Sequence, residues 1–218
     1  MKIKKQLECL SEFATAERFN LFNELIKFRT RYFSVALENI FQSHNSSAVL
    51  RTCDCLGIHD VHVLEKSNTF KVSEDIALGA SKWLNINRYT SPSVMIKTLR
   101  EKGYRIVATS SHRDSCFLPD FDVKKGPAVF LFGTELQGLS DELMNQADEF
   151  VKIPMYGFTE SYNISVSAAI IMYTLTEKIR QSGIPFLFTE TEKNECLFSW
   201  LMASVKDAES ILERKGLL

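Results

Sequence analysis

Two rhythms of apolar residues alternate along this chain. Short, nearly continuous apolar runs occur at Ser34-Val-Ala-Leu-Glu38, Asp60-Val-His-Val-Leu64, Tyr104-Arg-Ile-Val-Ala108, Ala128-Val-Phe-Leu-Phe132 and Phe150-Val-Lys-Ile153. Runs of this length predict β-strands, and a run apolar throughout, such as 128–132, suits a central parallel strand. Between them apolar residues return at helical spacing. The stripe Phe13, Phe19, Phe22, Leu25, Ile26 predicts a helix from about Ser11 to Phe28, with a possible internal start at Thr15-Ala-Glu-Arg. Further helices are predicted over Ser46–Leu56, closed by Gly57, and over a short stretch near Asp75–Trp83. Another runs from Ser91-Pro-Ser to Lys102, with Gly103 behind it. A long helix is expected from Asn163 to Arg180, ended by Gly183-Ile-Pro, and a final one from Thr191 to Lys215. The last carries Leu197, Trp200, Leu201, Val205, Ala208, Ile211 and Leu212 on one stripe.

Strands alternating with helices imply an α/β fold, with a parallel sheet covered by helices on both faces. With 218 residues, no internal repeat and no clear linker, one domain spanning 1–218 is expected, with helical extensions at 1–32 and 189–218. The basic start Met1-Lys-Ile-Lys-Lys-Gln is followed by charged residues where a signal peptide needs an apolar core. The five cysteines form no disulfide-like framework, so a reducing cytoplasm is expected. No apolar run reaches membrane-spanning length. A net charge of −1 speaks weakly against nucleic-acid binding, although basic residues cluster locally at Lys2, Lys4, Lys5 and at Lys27, Arg29, Arg31.

Candidate chemistry concentrates in three places. In the segment beginning Asn45-Ser-Ser-Ala-Val-Leu-Arg51, Asn45 suits a turn or cap. Arg51 has two readings: a surface arginine with a packed stem, or a guanidinium aimed at a phosphate or ribose. The nearby Cys53-x-Cys55 with His59 and His62 makes a poor metal site. Two residues along a helix is about 200° of rotation, which sends the thiols to opposite sides. No metal is expected.

In Phe132-Gly133-Thr134-Glu135-Leu-Gln-Gly138-Leu-Ser140, Glu135 lies just beyond a strand end, where open α/β sheets place ligands. Ser140, followed by two acids, suits an N-cap. Finally, the polar knuckle Glu160-Ser161-Tyr162-Asn163 opens into an apolar helix, an arrangement that offers backbone N–H groups and polar side chains to a small ligand. No glycine fingerprint for a dinucleotide or nucleoside triphosphate is present. Cys116 and His112 lack a convincing partner for a thiol nucleophile.

Asn45…Arg51, Phe-Gly-Thr-Glu135, Ile153-Pro154-Met155 and Glu-Ser161-x-Asn163-Ile-Ser-Val-Ser-Ala-Ala resemble, in order, the signature motifs of the SPOUT superfamily of RNA methyltransferases. Within it the chain is most similar to the TrmH (SpoU) family of ribose 2′-O-methyltransferases, and the likeness extends to the terminal helices. The resemblance implies an α/β sheet whose C-terminal part forms a deep trefoil knot, a homodimer, and S-adenosylmethionine bound in the knot. It further implies a cofactor pocket lined by Thr109, Gly133, Ile153 and Tyr162. Tyr162 stands where many relatives have leucine. Arg51, Asn45, Glu135, Ser161 and Asn163 would surround the reacting ribose. An arginine remains protonated, which makes a clamp on phosphate and developing alkoxide charge a better role for Arg51 than that of a base. Whether Glu135 orients Arg51 or Asn163 stays open.

The expected reaction is 2′-O-methylation of a ribose in tRNA, specifically the D-loop guanosine. Ribosomal RNA is the alternative substrate, and a catalytically silent RNA-binding protein the alternative class. RNA contacts are expected from the basic residues of the ends, above all Arg18, Arg29, Arg31 and Lys215.

Overall fold

The computed structural model describes residues 2–110, 115–134 and 137–218. They form two compact units, one of residues 31–186 and one of the chain ends, up to residue 30 and from 187 onward.

The larger unit is a seven-stranded parallel sheet. Its strands are β1 (Phe33–Glu38), β2 (Asp60–Leu64), β3 (Asn85–Tyr89), β4 (Arg105–Thr109), β5 (Cys116–Phe117), β6 (Ala128–Phe132) and β7 (Glu149–Lys152), in the spatial order β3-β2-β1-β6-β4-β7-β5. The helices α3 (Ser43–Leu56), α4 (Glu74–Ala77), α5 (Pro92–Glu101), α6 (Asp141–Met144) and α7 (Ile164–Arg180) connect or follow them.

Alternation along the strands divides the core into two layers. Val35, Leu37, Val107, Ala128, Phe130 and Phe132 face the layer built with Val49, Leu50 and Cys53 of α3 and Ala168, Ile171 and Leu175 of α7. Ala36, Ile106, Val129 and Leu131 face the other, built with Met95, Ile96 and Leu99 of α5 and Leu143 of α6. All residues of β1, β2 and β6 are buried; β6 is apolar throughout, whereas β1 and β2 also bury Ser34, Glu38, Asp60 and His62. The edge strands β3 and β5 were not anticipated from the sequence. β3 is only partly buried, its apolar positions alternating with Asn85, Asn87 and Arg88, and β5 is two residues long.

In the terminal unit the helix expected from about Ser11 starts later, as α2 (Ala16–Leu25), and an unanticipated helix, α1 (Lys2–Ser11), precedes it. Thr15 caps α2, its hydroxyl accepting from Arg18 N–H at 3.3 Å, so the helix begins at the internal start signal rather than at Ser11. The final helix divides into α8 (Glu190–Ser204) and α9 (Ala208–Arg214), with Asp207 left-handed at φ 56° between them. Thr189 and Glu192 form a reciprocal capping box at the start of α8. Leu10, Phe22, Trp200, Leu201 and Leu212 make the buried centre of this unit.

Candidate active site

The strands are parallel, so their carboxyl ends share one edge, and the ends of the neighbours β6, β4 and β7 border a cavity of about 500 Å³. Ligands of open α/β folds bind at such an edge. Thr109 and Ser110 line it from β4, Gly133, Thr134, Gly138 and Leu139 from the turn after β6, and Ile153 and Met155 from the exit of β7. Ser161, Tyr162 and Ile164 close it at the start of α7. The structure therefore brings together Thr109, Gly133, Ile153, Tyr162 and Ser161, which the sequence placed far apart. Thr109 Oγ1 donates to Leu131 O at 2.8 Å and so ties β4 to β6 at the rim.

The turn after β6 is tight. Thr134 and Gly138 exchange two backbone hydrogen bonds, 3.0 and 2.9 Å. A Cβ on Gly133 would stand 2.1 Å from the carbonyl carbon and oxygen of Gly138, so only glycine fits there. Glu135 lies outside the described residues, as does His112.

Asn163, between the lining residues Tyr162 and Ile164 but not itself lining the cavity, is the N-cap of α7. Its Oδ1 accepts from Ser165 N–H at 2.9 Å and from Ser165 Oγ at 2.6 Å, while its Nδ2 donates to Asn45 Oδ1 at 3.1 Å. Asn45 in turn donates to Gln42 Oε1 at 2.8 Å and is only 2% exposed. Two of the sequence motifs thus meet in one hydrogen bond. Of the turn or cap expected of Asn45 the cap falls to Gln42: α3 begins at Ser43, and Asn45 sits inside the first helical turn.

Arg51 is exposed and does not line this cavity. Six residues beyond Asn45, it lies about 240° around α3. It borders a second, apolar groove of about 620 Å³ with Cys55, Leu56, Ile76, Ala169, Ile170 and Tyr173. Cys53 is buried and Cys55 exposed, the divergence that their helical spacing requires. Among the described residues no cluster of His, Cys, Asp or Glu is suited to a metal ion, and no helix is long and apolar enough to cross a membrane. Desolvation, with Asp120 and Glu149 nearby, pushes the Cys116 thiol up, away from the reactive thiolate.

The residues missed by sequence reasoning are mostly apolar lining. Met144 ends α6 without any pattern to mark it, whereas Met155 and Glu160 sit inside quoted motifs without an assigned role. Ser140 takes the N-cap position of α6 but makes no capping bond; its hydroxyl accepts from Lys66 Nζ at 3.3 Å.

Of the basic residues, Arg18 and Lys215 are exposed. Arg31 pairs with Asp60 at 3.2 Å. Arg29 corrects the expectation of a surface contact: it is 4% exposed, with its guanidinium 5.1 Å from the centre of the Trp200 ring.

A model of the SpoU rRNA Methylase family matches residues 32–173. The chain is 44% identical over 209 residues to the tRNA (guanosine(18)-2′-O)-methyltransferase of Borreliella burgdorferi, covering 96% of this chain and 95% of that one. Its fold is similar to that of the TrmH/SpoU tRNA modifying enzyme of Aquifex aeolicus, with a TM-score of 0.79 and 30% identity over 87% of this chain and 97% of that chain. It is also similar to an AdoMet-bound rRNA methyltransferase from Sinorhizobium meliloti, with a TM-score of 0.63 and 25% identity over 71% of this chain and 59% of the other. With the cavity and both asparagines inside the matched segment, the chain belongs to the SpoU methylase family.

Proposed function

We propose that this protein transfers a methyl group from S-adenosylmethionine to the 2′-hydroxyl of a ribose in tRNA, at the D-loop guanosine 18 named for its Borreliella relative. The observation that carries the reading is the Asn163–Asn45 hydrogen bond at 3.1 Å, which joins two motifs beside a cavity of cofactor size.

The cavity suits the cofactor. Backbone groups of Gly133 and Ile153 come from strand ends, Tyr162 and Leu139 offer flat and apolar surface, and the volume lies in the range of small-molecule sites. S-adenosylmethionine supplies an already activated methyl on sulfur, so the protein's task is alignment and removal of a hydroxyl proton. Asn163, fixed at both ends of its amide, orients the ribose or the cofactor. Ser161 stands next to it on the cavity wall. Arg51 clamps an RNA phosphate and stabilises charge developing on the 2′-oxygen. Glu135 is assigned to the same group from its motif.

The same reading includes a C-terminal trefoil knot and a homodimer working in a reducing cytoplasm. The groove bordered by Arg51, Ala169, Ile170 and Tyr173 supports the dimer, as it leaves apolar surface of α7 uncovered. RNA is held by exposed basic residues including Arg18 and Lys215, with Arg31 adding charge at the start of β1.

The test is methyl transfer from labelled S-adenosylmethionine to unmodified tRNA and to protein-free ribosomal RNA at matched salt. The expected product is tRNA methylated on one ribose, at guanosine 18. Arg51→Ala should abolish transfer while S-adenosylhomocysteine still binds, and Arg51→Lys should restore little, because a point charge lacks the guanidinium fork. Methylation of ribosomal RNA alone would overturn the substrate assignment. Near-normal turnover of Arg51→Ala would return Arg51 to a surface role.

A further inference from the structure

β1 and β6 run side by side with Leu37 beside Phe132, so Glu38, the last residue of β1, lies at the sheet edge where the chain leaves β6 at Gly133. Glu38 is 4% exposed. A carboxylate so buried needs donors or a counter-charge. It has both. Ser140 backbone N–H donates to its Oε2 at 2.8 Å, and Lys66 Nζ lies 2.9 Å from its Oε1. The Lys66 contact is ionic, since Oε1 accepts no well-angled hydrogen bond among the described residues. Lys66, two residues past β2, also donates to Ser140 Oγ at 3.3 Å and stands 3.8 Å from Glu142.

Ser140 is where the turn that lines the cavity ends and α6 begins. One end of that turn continues the β6 ladder; the other hangs on Glu38 and Lys66. Between the ends, Gly133 already touches Gly138 and Leu139 with no room for a Cβ. A shift at Ser140 is therefore passed to the cavity wall rather than absorbed. Neither Glu38 nor Lys66 lines the cavity.

We propose that Glu38 and Lys66 are positioning residues that set the affinity for S-adenosylmethionine by holding the lining residues Gly138 and Leu139, packed against Gly133, at their Ser140 end. The inference rests on reading the cavity as the cofactor site. Lys66 is the better probe: its side chain is 32% exposed, so Lys66→Met leaves the core packing in place. Calorimetry with S-adenosylhomocysteine should show the dissociation constant of Lys66→Met raised about tenfold, and largely restored by Lys66→Arg. At saturating S-adenosylmethionine, kcat and the KM for tRNA should stay within about twofold of wild type, a split that general destabilisation would not produce. Glu38→Gln keeps an acceptor for Ser140 N–H and loses the ion pair, so it should match Lys66→Met.

Gly133→Ala serves as the reference for the cavity itself. If it abolishes binding while Lys66→Met binds within about twofold of wild type, the positioning role is wrong and the cavity reading stands. If Gly133→Ala binds like wild type, the cavity reading fails and the inference falls with it.

Discussion

His62 lies in the middle of β2 with its ring between Tyr89 and Tyr104, at centroid distances of 5.8 and 6.4 Å, and Nδ1 is 3.2 Å from Tyr89 Oη. Desolvation lowers its pKa from 6.5 to about 4, against a smaller opposite effect of Asp60. The folded state therefore keeps the ring neutral where the unfolded chain takes up a proton. Its contribution is complete above pH 6.5 and is lost as the pH falls from there to about 4. The loss amounts to about 3 kcal/mol, from 1.36 kcal/mol per pKa unit. Urea unfolding from pH 7.5 to 4.5 should show a gap between wild type and His62→Leu that narrows or reverses as the pH falls. Parallel curves would assign the titration to another group.

The start of α7 joins stability to chemistry in one residue. Asn163 caps the helix through Oδ1 and reaches Asn45 through Nδ2. Asn163→Ala removes both contacts and should cost about 1 kcal/mol for the cap alone. Asn163→Asp keeps the acceptor for Ser165 and adds a charge favoured at a helix N-terminus, so its melting temperature should stay close to wild type. Methyl transfer should fall in both variants. Full turnover by Asn163→Asp, measured beside thermal unfolding, would show that the bond to Asn45 serves packing only. At this scale most elements were legible: β2 and β6 have the bounds their apolar runs suggest, and Gly57 closes α3 with φ 78°. The first helix, α1, and the break at residues 205–207 were not. A periodic stripe persists across a break whenever both halves pack on the same core, so periodicity does not mark it.

For the molecule as a whole, the proposed dimer makes a direct prediction. Tyr173 is 60% exposed and Val166 43%, on a helix that buries one face, with Ala168, Ile171, Met172 and Leu175, in the core. A charge placed on the apolar groove, Ile170→Glu, would have to be buried unpaired on association, at a cost of a few kcal/mol. Light scattering at micromolar concentration should give a dimeric mass for wild type and a monomeric one for Ile170→Glu, with methyl transfer lost alongside. An active monomeric wild type would contradict the dimer.

The residue pattern alone determined the α/β class, the parallel central strands and the identity of the motif residues. These depend on local periodicity and on which strands are buried on both faces, and local sequence carries both. Tertiary structure decided what those residues do together. Asn45 and Asn163, 118 positions apart, meet only because α3 and α7 pack on the same face of the sheet. Arg29 was counted with its exposed basic neighbours until the fold buried it against Trp200, and charge alone does not say which way a side chain turns. Glu38 carried no signal in the sequence beyond its place at a strand end. Its part depends on β1 lying next to β6 rather than next to β4, and that is settled by long-range strand pairing.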